Sequence, residues 1–496
     1  TSAMIAHVGA GHIPRAVDLA ERLDEAGGTN QVVGLTLLAD ALRQKDYARA
    51  AEIAQTGDYR FNPLFSRLIE GWALIGEGSF AQGAEVFDAM SGNSAMEAYG
   101  ALHHAFALAL AGDFGSAARL LDGDDDGPLH LDRMALLTHI VALSHADRMD
   151  EARALTSDML LGNRSDPVLL EIKAKLEAGD PVAFDQIANP AEGAAAAYAI
   201  MASALTREDA GRLGLVYARL AAHIRPEYDE MTTLAGDVLV LQERFDLAAE
   251  AYKGVAPDSS WYVTAEIGRA EALADAERVD EAVEVLSSLS RAKPDNQSVL
   301  VALGDTLRRE ERFAPAADAY SRAIDLIDDE TPNDWRLYYV RGITYERTDR
   351  WEQAEADLRK ALELNPEQPH VLNYLGYSLV ELRQNLDEAQ DMIERAVAQR
   401  PEDGYITDSL GWVRYRLGKY EEAVAPMERA VELEPVDPII NDHLGDAFWQ
   451  VGRKHEARFQ WHRAISFKPE DKERVKIEAK LEKGMEPAEP GGKAGS

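Results

Sequence analysis

The run Asp122-Gly123-Asp124-Asp125-Asp126-Gly127 is where this sequence comes nearest to a metal site. Asp122, Asp124 and Asp126 fall at positions 1, 3 and 5 of a calcium loop, with Gly127 at the turn position 6; position 12, which should supply a bidentate glutamate, is Arg133. We read the run as a solvated acidic turn between helices, with calcium binding as the alternative. Histidine offers no better cluster. His103 and His104 are adjacent, and neighbours on a helix point about 100° apart, too divergent to share a metal. His443 stands just before Leu444-Gly445 and is expected to pack or hydrogen-bond locally. Gly9-Ala10-Gly11 lacks the lysine and the preceding strand of a phosphate-binding loop. The G-x-S-x-G and H-E-x-x-H patterns do not occur, and carboxylates are too common for any pair to be informative. The reading is therefore a non-enzyme with no catalytic, metal or cofactor-binding residue.

Composition says what kind of scaffold carries these residues. The 496 residues are 46% hydrophobic and 28% charged, as in a soluble, folded protein, and long enough for several domains or one repeat array. No apolar run reaches the ~18 residues of a membrane span. Alanine-rich text with few aromatics and few β-branched runs favours helix throughout. Fifty-two basic against 87 acidic residues give a net charge of -35. A surface so acidic repels phosphate backbones and anionic lipid heads, so nucleic acid is excluded as a partner. The absence of cysteine excludes disulfides and thiolate chemistry; it suits an exported protein, and equally many cytosolic ones.

The organisation is periodic. LGYSLVELRQNLDEA (375–389), LGWVRYRLGKYEEA (410–423) and LGDAFWQVGRKHEA (444–457) align with one another. Their glycines, Gly376, Gly411 and Gly445, are 35 and 34 apart; their alanines, Ala389, Ala423 and Ala457, and the prolines Pro401, Pro435 and Pro469 are all 34 apart. Small residues belong where two helices cross closely, Leu375, Leu410 and Leu444 fill the space between, and proline ends the second helix. The period and pattern are the tetratricopeptide signature. Followed backwards, the closing small residue reads Ala354, Ala316, Ala282, Ala248, Gly214, Ala183, Ala152, Ala117, Gly83, Ala50 and Ala16. A step of 38 marks an insertion around Asp328-Asp329-Glu330, and two steps of 31 mark shortened repeats near Gly179–Pro190.

These spacings predict an all-α, tetratricopeptide-type α-solenoid: a right-handed superhelix of about 13–14 helix pairs with one extended concave surface. Residues 1–230 read as degenerate repeats, 231–469 as a regular array, 470–484 as a polar capping helix and 485–496 as a disordered tail. Ala16 lies in a second helix, with only a stub of its partner after Thr1, so the chain reads as starting inside a repeat of a longer protein.

Other features come from resemblance. In tetratricopeptide proteins the first helix of each pair lines the concave face, which nominates Asn373, Tyr377, Asp408, Trp412, Tyr415, Asp442, Asp446 and Trp449 as a protein-contact stripe. Rigid aromatics in it would anchor a bound chain, so Trp412→Ala and Trp449→Ala should weaken binding more than other single changes. Aspartates occupy the positions where one use of this fold grips a terminal carboxylate, which argues against that use. NYLGYSLVE (373–381), DGYITDSLGWVRYRLGKYEEAV (403–424) and DPIINDHLGDAFWQVGRKHEARFQWHRAI (437–465) resemble bacterial outer-membrane lipoproteins that act as adaptors for periplasmic carboxyl-terminal processing proteases. That resemblance implies a periplasmic adaptor presenting protein substrates to such a protease, with an export signal or lipid anchor ahead of Thr1. The alternatives are an envelope or cytosolic assembly scaffold without a protease, and a docking arm for a catalytic domain preceding Thr1.

Overall fold

The computed structural model describes residues 2–90, 94–123, 133–162, 166–207 and 211–485. Among them the chain forms twenty-eight α-helices and no strand, divided into two compact units, residues 1–292 and 293–496. The first unit contains α1 (Ser2–Gly9), α2 (Ile13–Glu25), α3 (Gln31–Arg43), α4 (Tyr47–Gln55), α5 (Pro63–Gly76), α6 (Phe80–Asp88), α7 (Ser94–Leu110), α8 (Phe114–Leu121), α9 (Arg133–His145), α10 (Met149–Gly162), α11 (Pro167–Ala178), α12 (Pro190–Arg207), α13 (Gly211–Ile224), α14 (Asp229–Leu241), α15 (Phe245–Tyr252), α16 (Tyr262–Asp275) and α17 (Val279–Ala292). The second contains α18 (Gln297–Arg309), α19 (Phe313–Asp325), α20 (Trp335–Glu346), α21 (Trp351–Leu364), α22 (Pro369–Glu381), α23 (Leu386–Gln399), α24 (Gly404–Arg416), α25 (Tyr420–Leu433), α26 (Pro438–Gln450), α27 (Lys454–Ser466) and α28 (Asp471–Lys483).

Three local devices repeat. Helix starts are capped by side chains: Asp437 accepts from the amides of Ile439 and Ile440, with Pro438 in the first turn of α26. Between the two helices of a pair, one residue takes a left-handed conformation. It is Gly418 at φ 77° and Gly452 at φ 83°, but Glu311, Asp349 and Arg383 elsewhere. Gly11, at φ 78°, is the same turn position in the first pair, which accounts for that glycine without a phosphate-binding loop. The third device is the close crossing expected from the sequence. A β-carbon on Gly376, Gly411 or Gly445 would stand 3.2 Å from the carbonyl oxygen of Ala389, Ala423 or Ala457 respectively. Every closing alanine from Ala248 to Ala457 is buried.

Four features differ from or extend the sequence reading. The stub after Thr1 folds as α1 and packs on α2, burying Met4 and Val8. Ala183 is not a repeat marker: residues 180–189 form no helix and Ala183 is exposed, so α11 has no second helix of its own. The insertion before α20 is a short 3₁₀ turn, Pro332–Asp334, tied down by Tyr338, which donates to Glu330, and by the Lys360–Glu330 ion pair.

The fourth difference concerns the concave surface. In the first unit α12 packs on α5, and also on α3 and α7, while α13 packs on α3 and α1. These are the first helices of the first four pairs, so the face expected to stay open there is filled by the chain itself. Tyr198 and Tyr217 meet the ring of Phe65 edge-on at 4.9 and 5.4 Å. Tyr198 donates to the carbonyl of Leu35 at 2.8 Å, and Gly193 lets α12 lie directly on the Trp72 ring. Residues 1–292 therefore do not offer one continuous concave groove.

Candidate functional site

In the second unit, successive first helices α22, α24 and α26 lie side by side, and α28 follows as a single closing helix. Tyr377, Trp412, Asp446 and Lys480 are spaced 35, 34 and 34 apart, so they occupy one position in four consecutive first helices. Asn373, Asp408 and Asp442 form a second such row, with Tyr415 and Trp449 a third. The repeat thus aligns the nominated side chains as stripes across the helices.

The stripes open into a cleft of about 690 Å³ lined by Tyr377, Trp412, Asp442 and Asp446 among the nominated residues, and also by Glu381, Arg416, His443, Lys476 and Lys480. Trp412 is its centre. Its ring stacks on His443 at 3.9 Å and on Tyr415 at 4.9 Å, its indole N–H donates to Glu381 at 2.5 Å, and Arg416 lies over it while pairing with the same Glu381. Asp408 lies beneath: His443 Nδ1–H donates to its Oδ2 at 2.7 Å. Burial works against a charged His443 imidazole, but Asp408, aided by Asp442 and Asp446, outweighs it and holds the pKa above its ordinary value. Tyr377 is raised above the ordinary tyrosine range by burial and by nearby Glu381 and Asp408.

Asp442 and Asp446 are not free acidic contacts. Lys480 of α28 donates to both oxygens of Asp442 at 2.7 and 2.9 Å and to Asp446 Oδ2 at 2.7 Å. Trp461 Nε1–H donates to the other oxygen of Asp446 at 3.0 Å. Burial, with Asp442 adding to it, still raises the pKa of Asp446 to about 6 despite Lys480. Trp449 lies outside the cleft. It packs on Trp461 at 5.3 Å and donates to the Met485 carbonyl at 2.8 Å. Asn373 also lies outside the cleft lining, with its Oδ1 buried and unpartnered among the described residues. The sequence reading missed Lys480, although it stands 34 residues after Asp446; the capping helix was read by its polarity and not carried into the repeat register.

Asp122, His103 and His104 are engaged within the fold. Asp122 is held by Arg148 at 2.7 and 3.0 Å and by His139 at 3.1 Å; Asp124–Gly127 lie outside the described residues. His103 is fully buried, receives the indole N–H of Trp72 at 2.7 Å and is pushed down to about pKa 3 by burial. His104 turns instead to Asp88 at 2.7 Å. Among the described residues no group of three or more His, Cys, Asp or Glu could hold a metal ion.

Residues 267–334, 375–438 and 409–471 match one family profile described as "Tetratricopeptide repeat", and residues 335–368 match another of the same description. Residues 267–368 and 375–471 carry tetratricopeptide repeats. Over 177 residues it is 30% identical to the TPR repeat-containing protein PA4667 of Pseudomonas aeruginosa, an alignment covering 36% of this chain and 29% of that protein. Over 95 residues it is 34% identical to a UDP-N-acetylglucosamine–peptide N-acetylglucosaminyltransferase of Giardia intestinalis, covering 19% of this chain and 6% of that enzyme. The chain thus spans less than a third of the length of either relative. A solved structure of the APC/C hetero-tetramer Cut9–Hcn1 is similar at 14% identity and a TM-score of 0.43, covering 92% of this chain and 96% of that one. Tetratricopeptide proteins generally act as protein-interaction scaffolds and bind protein partners. Among the described residues no helix is long and apolar enough to cross a membrane.

Proposed function

We propose that this tetratricopeptide protein is a non-catalytic adaptor whose second unit holds an extended protein segment in the cleft of α22, α24, α26 and α28. The observation that carries the reading is the alignment of Tyr377 and Trp412 along one cleft of about 690 Å³, flanked by the charges of Glu381, Arg416 and Lys476. Flat aromatics held by packing give contact area at low entropic cost. The likeness of residues 373–465 to adaptor lipoproteins supports a carboxyl-terminal processing protease and its protein substrates as partners, in the periplasm, outer-membrane anchored. The cytoplasm is the alternative setting, with an assembly scaffold lacking a protease as the second reading.

A pull-down from native envelope extract, with the full chain as bait and mass spectrometry as readout, tests this proposal. Recovery of such a protease, lost with Trp412→Ala, is the expected result. Recovery only of assembly-complex proteins, unaffected by that substitution, rejects the protease adaptor.

A further inference from the structure

Within the first unit, α1, the start of α3, α13 and the turn after α14 line a half-open cavity of about 640 Å³. Ile5, Val32, Leu213, Leu215 and Val216 make most of its wall apolar. Four polar side chains interrupt that wall, Ser2, Arg212, Gln242 and Arg244, of which Ser2 and Arg212 are exposed. The Gln242 amide nitrogen is buried and has no partner among the described residues. Arg219 stands close by, against Gly11, and its buried Nε is likewise unpartnered.

In this chain, with 87 acidic residues to 52 basic ones, many of the described arginines find carboxylates; Arg148, Arg278, Arg341 and Arg359 each do. Among the described residues neither Arg219 nor Arg244 forms an ion pair. Burial and the charge of Arg244 push the Arg219 pKa down to about 10, so the Arg219 guanidinium remains cationic near neutrality. Nor are they capping α1. The carbonyls of Ala6, His7 and Val8 at its end already accept from the amides of Ala10, His12 and Gly11. Two like charges beside an apolar cavity, with unfilled donors, are costly unless something anionic completes them.

We propose that this cavity binds the carboxylate of a small alkyl acid, with Arg244 and Gln242 donating to the head, Arg219 supplying the second positive charge, and Ile5, Val32 and Leu213 along the chain. A two-oxygen head suits one guanidinium fork and one amide. The volume lies within the ~300–1,000 Å³ range of small-molecule sites. Gly9 belongs to the site, because a β-carbon there would stand 3.3 Å from Arg244 and 3.4 Å from Leu215.

The test is isothermal titration of the full chain with decanoate below its micelle concentration, against acetate, decanol and decyl phosphate. Saturable one-to-one binding of decanoate is expected, with acetate, decanol and decyl phosphate each at least about tenfold weaker. Arg244→Gln should weaken decanoate about ten- to a hundredfold, the range for a charged hydrogen bond; Gln242→Leu, which keeps the shape, should weaken it less. In the absence of acid, Arg219→Met should melt at or above the wild-type temperature, because it removes a buried, unpaired charge. No saturable decanoate binding, decanol or decyl phosphate binding as tightly as decanoate, unchanged affinity in both Arg244→Gln and Gln242→Leu, or a fall of several degrees in the Arg219→Met melting temperature would each overturn the proposal.

Discussion

Replacing Lys480 by methionine should expose how the last repeat is closed. The substitution keeps the length and apolar stem of the side chain but removes three short hydrogen bonds to Asp442 and Asp446. The two aspartates are only 6% and 4% exposed, so they recover little of the lost partner from water. Stripping one partner from a buried ion pair costs about 3–5 kcal/mol. An independent bound comes from protonation: neutralising an aspartate of ordinary pKa 3.8 costs about 1.4 kcal/mol per pH unit above it, or about 5 kcal/mol at pH 7.5 and about 1 kcal/mol at pH 4.5. The penalty should therefore be about 3–5 kcal/mol at pH 7.5 and shrink to about 1 kcal/mol at pH 4.5. In the wild type the raised pKa of Asp446 works in the same sense: its contribution is full below the ordinary aspartate range and lost as pH rises through about 6. Native-state hydrogen exchange of the α26 and α28 amides reads local opening directly. A penalty below about 1 kcal/mol at pH 7.5, or one of equal size at both pH values, would refute the reasoning.

Three further outcomes follow from the packing. Asp408→Asn removes the leading group that raises the His443 pKa and leaves burial unopposed by it, so the imidazole should titrate at lower pH by NMR; an unmoved titration would contradict the assignment. Gly445→Leu puts a β-carbon 2.5 Å from the Trp461 ring and should cost at least about 1–3 kcal/mol in urea unfolding, whereas a neutral effect would deny the close crossing. Gly193→Leu drives α12 off the Trp72 ring, also 2.5 Å away, and should lower the melting temperature and raise exchange in α12 and α13; unchanged protection there would contradict the filled face of the first unit.

The regular repeats were legible because each of their rules has a steric cause that acts locally. Gly411 and Ala423 are small because their helices cross there, and the αL turn recurs because each pair must reverse direction in a few residues. Ala183 misled for the same reason: a small residue at nearly the right spacing carries no information about whether its segment is helical. The filling of the first unit was invisible because it joins segments far apart in sequence, 163 residues for Tyr198 with Leu35 and 186 for Gln31 with Tyr217, and periodicity encodes only neighbours. The stripe was legible as positions but not as bonds. Trp412, Asp442 and Asp446 were placed on one face, yet the identity of their partners, His443, Glu381 and Lys480, depends on which helix lies alongside. Trp449 followed the same register into a contact with Met485, just after α28.

The claim at the centre of this account is that the aromatic cleft of the second unit holds a protein partner. Biolayer interferometry between the full chain and a purified, catalytically inactivated carboxyl-terminal processing protease tests it most directly, with Trp412→Ala and Tyr377→Ala as variants and Phe459→Ala, an exposed residue outside that cleft, as control. The account predicts saturable binding that Trp412→Ala weakens at least about tenfold, Tyr377→Ala less, and Phe459→Ala not at all. Binding that is absent, or equally tight in all three variants, would contradict it.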